Sequence, residues 1–233
     1  MISKIRTELL QNSDPHNRSG AQAFFKEKIS CYGVKTAVVA GIAKKYFKSA
    51  KPLGKKQVFA LCEELLQSDY CEEAFIAFDW AYRFRNEFEP GDFPIFEHWL
   101  EHYVNNWAKC DTFCNHTIGA FIEQYPDYME KLKKWTKSKN RWVRRAAAVT
   151  LILPARRGKF LTDSFEIADS LLQDKDDLVQ KGYGWMLKEA SRLHQQEVLD
   201  YVIKHKNVMP RTALRYAIEK MPQDLRRLAM EKD

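Results

Sequence analysis

A ladder of polar residues recurs along the second half of this chain at the length of one helix pair. Its rungs are 34, 36 and 34 residues apart, and a second series lies one helical turn earlier. In stacked α-helical repeats, equivalent positions of successive repeats become neighbours in space. The ladder therefore predicts one mostly basic wall of a superhelix. The rungs are Asp111, Arg145, Lys181 and Arg215, preceded by Trp107, Arg141, Asp177 and Arg211.

The apolar pattern predicts an all-α fold. Apolar residues recur at three- and four-residue spacing almost throughout, and no stretch shows sustained alternation. Asp14-Pro15 opens a helix that should stop near Gly33, and Asn140 caps another that should end at Gly158. The breaks predict about a dozen helices, which pair into roughly six antiparallel hairpins. An ordinary helical bundle with coincidental spacing is the alternative.

The composition is that of a folded, basic protein. Hydrophobic residues make up 45% of the chain, which is enough for a buried core and excludes a disordered protein. Lysine and arginine outnumber aspartate and glutamate by 38 to 31. This balance favours a polyanionic partner if the excess is clustered, although many basic proteins bind nothing acidic. No apolar run approaches the ~20 residues of a membrane span, so we expect a soluble protein in the cytoplasm.

The five cysteines are typical of reduced core thiols. They form an odd set scattered through apolar segments, which argues against a disulfide framework. Cys110 and Cys114 lie four residues apart near His116, but His116 would face another side of the helix and no second pair exists. We therefore expect no metal site.

Several residues combine types suited to chemistry on nucleic acid. Trp107 and Asp111 are four residues apart, so the indole and the carboxylate would share a helical face. An isolated pair of this kind is more often a core tryptophan beside a capping aspartate. Here the pair is accompanied by Trp185 and Lys188, which are three residues apart, and by arginines in one helical sector. The alternative role for Trp185 is core packing, and the alternative for the arginines is a solvated surface. These arginines are Arg141, Arg144 and Arg145.

From about Ala21 to Lys220 the chain resembles the AlkD-type DNA alkylation-repair glycosylases, which are HEAT-like-repeat proteins that excise alkylated purines. Trp107 and Asp111 match the family's catalytic tryptophan and aspartate. Gln180-Lys-Gly-Tyr-Gly-Trp185 matches the segment with its second active-site tryptophan. The resemblance also implies a DNA-contacting arginine, a nearby cation and an aromatic residue that is commonly tyrosine. These are Arg145, Lys188 and Phe24.

The chain departs from the family pattern at the proposed DNA-facing helix. Lys188 stands where arginine is typical, and Asp177 and Leu178 replace two aromatic residues. An acidic side chain facing DNA would repel phosphate. The resemblance nevertheless implies a single HEAT-like-repeat domain over residues 1–233, an α-α superhelix of about six repeats, in which the catalytic and DNA-contacting residues line one groove.

The residue types suit glycosidic bond cleavage. An N3- or N7-alkylated purine is a cationic leaving group, and its departure builds oxocarbenium character on the deoxyribose. Indole faces stabilise cations by up to ~2 kcal/mol each, and a carboxylate adds a larger electrostatic contribution. We therefore expect a monofunctional, cofactor-free DNA glycosylase of base excision repair, with Asp111, Trp107 and Trp185 as catalytic residues. A non-catalytic binder of distorted or branched DNA is the alternative, and a protein scaffold is disfavoured.

The expected partner is duplex DNA, alkylated or distorted, bound by a monomer away from membranes. The expected DNA-binding residues are Arg145, Lys188, Phe24, Arg141, Arg144, Lys181, Arg211 and Arg215.

Overall fold

The helices of the chain are short and connected by brief turns. A computed structural model describes residues 1–231. Within them every regular element is helical, and extended pairing is limited to one isolated bridge between Ser30 and Tyr70. No helix in these residues is both long and apolar enough to cross a bilayer. The predicted fold class, an all-α superhelix, is confirmed. The backbone separates into two compact units, Met1–Phe113 and Cys114–Asp233, and the single-domain organisation stays a prediction.

The first unit contains seven α-helices. They are α1 (Ile2–Gln11), α2 (Pro15–Gln22), α3 (Thr36–Ala50), α4 (Lys55–Leu66), α5 (Cys71–Arg83), α6 (Phe93–Tyr103) and α7 (Trp107–Thr112). Helix α5 packs against α3, α4 and α7. Trp80 and Trp99 are fully buried here, and the Trp80 indole donates to the carbonyl of Ala43 at 2.9 Å. Burying such large rings supplies much of the apolar area that stabilises a unit of this size.

The second unit contains nine α-helices among its described residues. They are α8 (Gly119–Gln124), α9 (Met129–Trp135), α10 (Arg141–Val149), α11 (Ile152–Arg156), α12 (Leu161–Leu171), α13 (Asp177–Ala190), α14 (Gln195–His205), α15 (Arg211–Ala217) and α16 (Gln223–Met230). Helix α13 is central, because it packs against α10, α11, α12 and α15. The order α10, α13, α15 matches the last three rungs of the sequence ladder.

Glycine permits the closest of these helix contacts. A Cβ at Gly184 would lie 2.7 Å from both the carbonyl oxygen of Ala213 and the Cβ of Tyr216. Any side chain there would push α13 and α15 apart. Glycine is therefore favoured at this position even though it destabilises a helix by about 1 kcal/mol relative to alanine. The close approach of α13 and α15 therefore depends on glycine at this position.

Two helix boundaries differ from the prediction. The helix that opens at Asp14-Pro15 ends at Gln22 instead of near Gly33, because the Gln22 side chain bonds the backbone of Glu27 and Ile29 and turns the chain. Beyond this turn, the Glu72 carboxylate accepts the backbone N–H groups of residues 32 to 34 at 2.8 to 3.1 Å. These long-range bonds satisfy the backbone outside a helix.

The second difference lies in the helix that begins after Asn140. Asn140 caps it as predicted, accepting from the Trp142 N–H at 2.9 Å, but the helix breaks after Val149 and resumes as α11. Pro154 explains the break, because it has no N–H to donate to the carbonyl of Thr150. The end at Gly158 is confirmed, and its φ of 77° is a conformation that favours glycine.

All five cysteines are buried thiols, as expected of core residues. Burial raises the pKa of the Cys71 thiol to about 11, so it is protonated at neutral pH.

Candidate functional site

A buried lysine fixes the start of α7, the helix that carries Trp107 and Asp111. The Asn106 side chain caps the helix by accepting from the backbone N–H of Lys109 at 3.0 Å. The Lys109 ammonium is 1% exposed and pairs with the Asp69 carboxylate at 2.6 Å. It also donates to the Asp69 carbonyl at 3.0 Å. A buried charge needs such partners, so α7 is tied to the turn before α5.

Trp107 and Asp111 lie one turn apart on α7, and both are half-buried. The Trp107 indole stacks on the Phe25 ring, with centroids 5.0 Å apart and an interplanar angle of 16°. Its N–H donates to the carbonyl oxygen of Phe24 at 3.3 Å, while the Phe24 side chain is 77% exposed. Three of the predicted site residues in this unit are thus brought together, and Phe25 joins them.

The second unit places a cation between two aromatic rings. The Lys188 ammonium lies 5.9 Å from the ring centroid of Trp185 and 5.5 Å from that of Tyr216. The Glu219 carboxylate pairs with it at 3.1 Å. The Trp185 and Tyr216 faces therefore already hold a positive charge, which is the electrostatic preference a cationic ligand would require.

Three predicted DNA-binding cations are neutralised by neighbouring carboxylates. The three cations and their three carboxylate partners lie on α10, on α13 or in the loop before α13. We call the three cations the paired basic face. The pairs are Arg141–Asp176 at 2.7 Å, Arg144–Asp174 at 2.6 Å and Lys181–Asp177 at 3.3 Å.

These carboxylates also build the helix terminus. Asp176 caps α13 by accepting from the N–H groups of Leu178 and Val179. Asp174 accepts from the backbone N–H of Asp176 at 2.9 Å. The loop is therefore ordered by the same carboxylates that offset the charge of the arginines, a contribution to folding that the sequence ladder did not indicate.

Arg145, the predicted DNA-contacting arginine, is 5% exposed and donates to the carbonyl of Leu178. Its side chain lies under Gly182, where an added Cβ would meet the Arg145 Cγ at 3.4 Å. In this arrangement Arg145 links α10 to α13. Its contact with DNA stays a prediction.

Arg211 and Arg215 differ from the other predicted DNA-binding residues. Both are exposed on α15, and neither makes an ion pair or side-chain hydrogen bond within residues 1–231. Guanidinium groups without a carboxylate partner remain available to an external anion.

Sequence reasoning missed several residues that shape these sites. Tyr216 and Glu219 lie five and eight residues beyond Arg211, and the sequence pattern did not single them out. Lys109 carried no sequence signal, because only the fold shows that its charge is buried. The placement of the proposed catalytic and DNA-contacting residues in one groove stays a prediction.

Comparison with protein families gives one match across most of the chain. A model described as "DNA alkylation repair enzyme" matches residues 5–221. The chain belongs to this family. The match covers Trp107, Asp111, Trp185 and the paired basic face, and it ends just before α16.

A solved structure shares the fold. It is titled a predicted DNA alkylation repair enzyme from Enterococcus faecalis, and it superposes with a TM-score of 0.80. The superposition covers 91% of this chain and 98% of that chain at 16% sequence identity. Comparison with curated proteins finds no match.

Proposed function

We propose that this DNA alkylation repair enzyme is a monofunctional DNA N-glycosylase that releases cationic N3- or N7-alkylated purines from duplex DNA. The observation that carries the proposal is the pairing of Trp107 and Asp111 on α7. Both side chains are half-buried one turn apart, and α7 is fixed by the ion pair that buried Lys109 makes with Asp69. A rigid support of this kind is what electrostatic catalysis requires.

The chemistry follows from charge. The bond between C1′ of the deoxyribose and the purine nitrogen breaks, and its electrons leave with the base, which becomes neutral. Asp111 stabilises the positive charge that develops on the sugar. It also orients a water molecule, whose oxygen bonds to C1′ while its proton passes to the carboxylate or to solvent. No cofactor takes part.

The aromatic residues are proposed to stabilise positive charge before and during cleavage. Trp107 already stacks on Phe25 at 5.0 Å, so its other face is the one proposed to contact the ligand. Trp185 is the second proposed catalytic indole, and Lys188 beside it is proposed to contact DNA. Each cation contact is worth less than the carboxylate, about 0.5–2 kcal/mol.

The decisive test compares base release from methylated duplex DNA by the wild type and by Asp111→Asn under single-turnover conditions. Asparagine keeps the shape and removes the charge, so excision should fall by about 10² or more. Binding of the same duplex should hold or improve, because the carboxylate no longer opposes phosphate. Trp107→Ala and Trp185→Ala should each slow excision less.

Glu219→Gln is the matched control, because it removes the carboxylate that pairs with Lys188 beside the other indole, Trp185. It should retain most of the excision rate. If Glu219→Gln is inactive and Asp111→Asn is not, the catalytic carboxylate is Glu219. If the wild type binds DNA and releases no base, the protein is a non-catalytic binder of distorted or branched DNA, and the departures at Asp177 and Leu178 become the leading explanation.

A further inference from the structure

The last two helices of the described chain border an open groove with a volume of about 560 Å³. Arg215 on α15 and Arg226 and Arg227 on α16 line it, and all three arginines are exposed. Ile218 and Met230 supply apolar lining. We call this the arginine groove. It lies within the second unit, and α16 lies beyond the segment that matches the family model.

The groove carries an uncompensated positive charge. Within residues 1–231, Arg215, Arg226 and Arg227 make no ion pair and no side-chain hydrogen bond. Glu219 is the one carboxylate among the lining residues, and its charge is taken up by Lys188 at 3.1 Å and Lys220 at 3.9 Å. Three guanidinium groups therefore face one open space with little local negative charge.

The geometry favours a polyanion with regularly spaced charges. Each guanidinium offers a planar set of donors that matches two oxygens of one phosphate. Three such groups around one groove suit successive phosphates along a nucleic acid strand better than a single small anion. An acidic protein segment is the other polyanion of this kind, but the DNA repair family of the chain favours DNA.

We propose that the arginine groove binds backbone phosphates of duplex DNA, through Arg226 and Arg227 of α16 together with Arg215. The proposal rests on the proposed function only in that duplex DNA is the partner. It adds a DNA contact outside the family match, and Arg226 and Arg227 are residues that the sequence ladder did not single out.

The test measures the salt dependence of binding to a short undamaged duplex by the full chain. The double variant Arg226→Gln, Arg227→Gln keeps helix propensity nearly constant and removes two charges. If each arginine neutralises one phosphate, the slope of log affinity against log salt should become shallower by about 1.8, at about 0.9 per phosphate. The affinity at low salt should fall by about tenfold or more.

The control variant Lys44→Gln, Lys48→Gln removes the same charge from the exposed face of α3. Neither lysine makes an ion pair within residues 1–231. This variant should keep the wild-type slope, because it changes net charge without removing a groove contact. Unchanged thermal midpoints for both double variants show that the fold is retained.

Three results would overturn the proposal. The first is a groove variant with the wild-type slope, and the second is an equal loss in both double variants, which would reflect net charge alone. The third is groove-dependent binding of a polyglutamate peptide without binding of DNA. Failure of base excision with a groove-dependent salt slope would overturn the proposed glycosylase activity and leave this site standing.

Discussion

The paired basic face and the arginine groove both lie in the second unit, and they use the same kinds of side chain differently. In the paired basic face each cation contacts a carboxylate of the loop before α13 or of its first turn, and one of these carboxylates, Asp176, caps the helix. In the arginine groove three arginines contact no carboxylate within residues 1–231. A cation is therefore either neutralised inside the fold or left available to an external anion, according to whether the fold places a carboxylate within reach. Net charge alone cannot distinguish the two uses.

The largest expected effect is a difference in the free energy of unfolding between a variant of the paired basic face and a variant of the arginine groove. Arg144→Ala removes the partner of Asp174, whose side chain is only 9% exposed, and two hydrogen bonds to backbone carbonyls. Leaving that carboxylate buried and unpaired should lower the free energy of unfolding by about 3 kcal/mol. Arg226→Ala should change it by less than about 0.5 kcal/mol. Chemical denaturation of both variants measures the difference, and equal stabilities would mean that the pairing is not structural.

A smaller effect should appear in the pH dependence of stability. Burial raises the pKa of the Glu189 carboxyl, but hydrogen bonds from Arg156 at 2.7 Å and Arg192 at 2.5 Å outweigh it and hold the pKa below the ordinary value. A lowered pKa contributes stability that is present above the unfolded-state pKa of about 4.3 and is lost as pH falls through the folded-state pKa.

Glu189→Gln tests this ion cluster on α13. At neutral pH it should lower the free energy of unfolding by about 2 kcal/mol, because two charge-assisted hydrogen bonds are weakened. Below the folded-state pKa the difference from wild type should shrink, whereas Arg227→Gln should remain parallel to wild type at every pH. Thermal unfolding across the acid range provides the comparison, and a constant gap for Glu189→Gln would contradict the assignment.

The smallest effect is expected when one cation of the paired basic face is released from its carboxylate. Asp176→Asn keeps the cap of α13, since asparagine caps as well as aspartate, and removes the charge that holds Arg141. Duplex affinity should rise by about threefold, with a salt slope steeper by up to about 0.9 if Arg141 gains one phosphate. Fluorescence anisotropy at several salt concentrations measures both. An unchanged affinity would show that Arg141 has no access to DNA.

The local features of the fold were accessible from the sequence. Apolar spacing predicted helices, and asparagine and glycine marked the start of α10 and the end of α11. Glycine inside a helix is a local sign of close packing, and Gly184 of α13 makes such a contact with α15. These signals are readable because each depends on residues a few positions apart. The pairing of Trp107 with Asp111 on one helical face is of the same kind.

Long-range pairing decided the rest. Glu72 holds residues 32 to 34 out of a helix, and Asp69 accepts the buried charge of Lys109. Asp174 and Asp176 pair with two arginines that were expected to bind DNA. The sequence by itself determined the helices, the family and the candidate residues, since local periodicity and motif spacing encode them. Only the tertiary structure decided which cations are neutralised, because the energy of a charge depends on the groups that folding brings within a few ångströms.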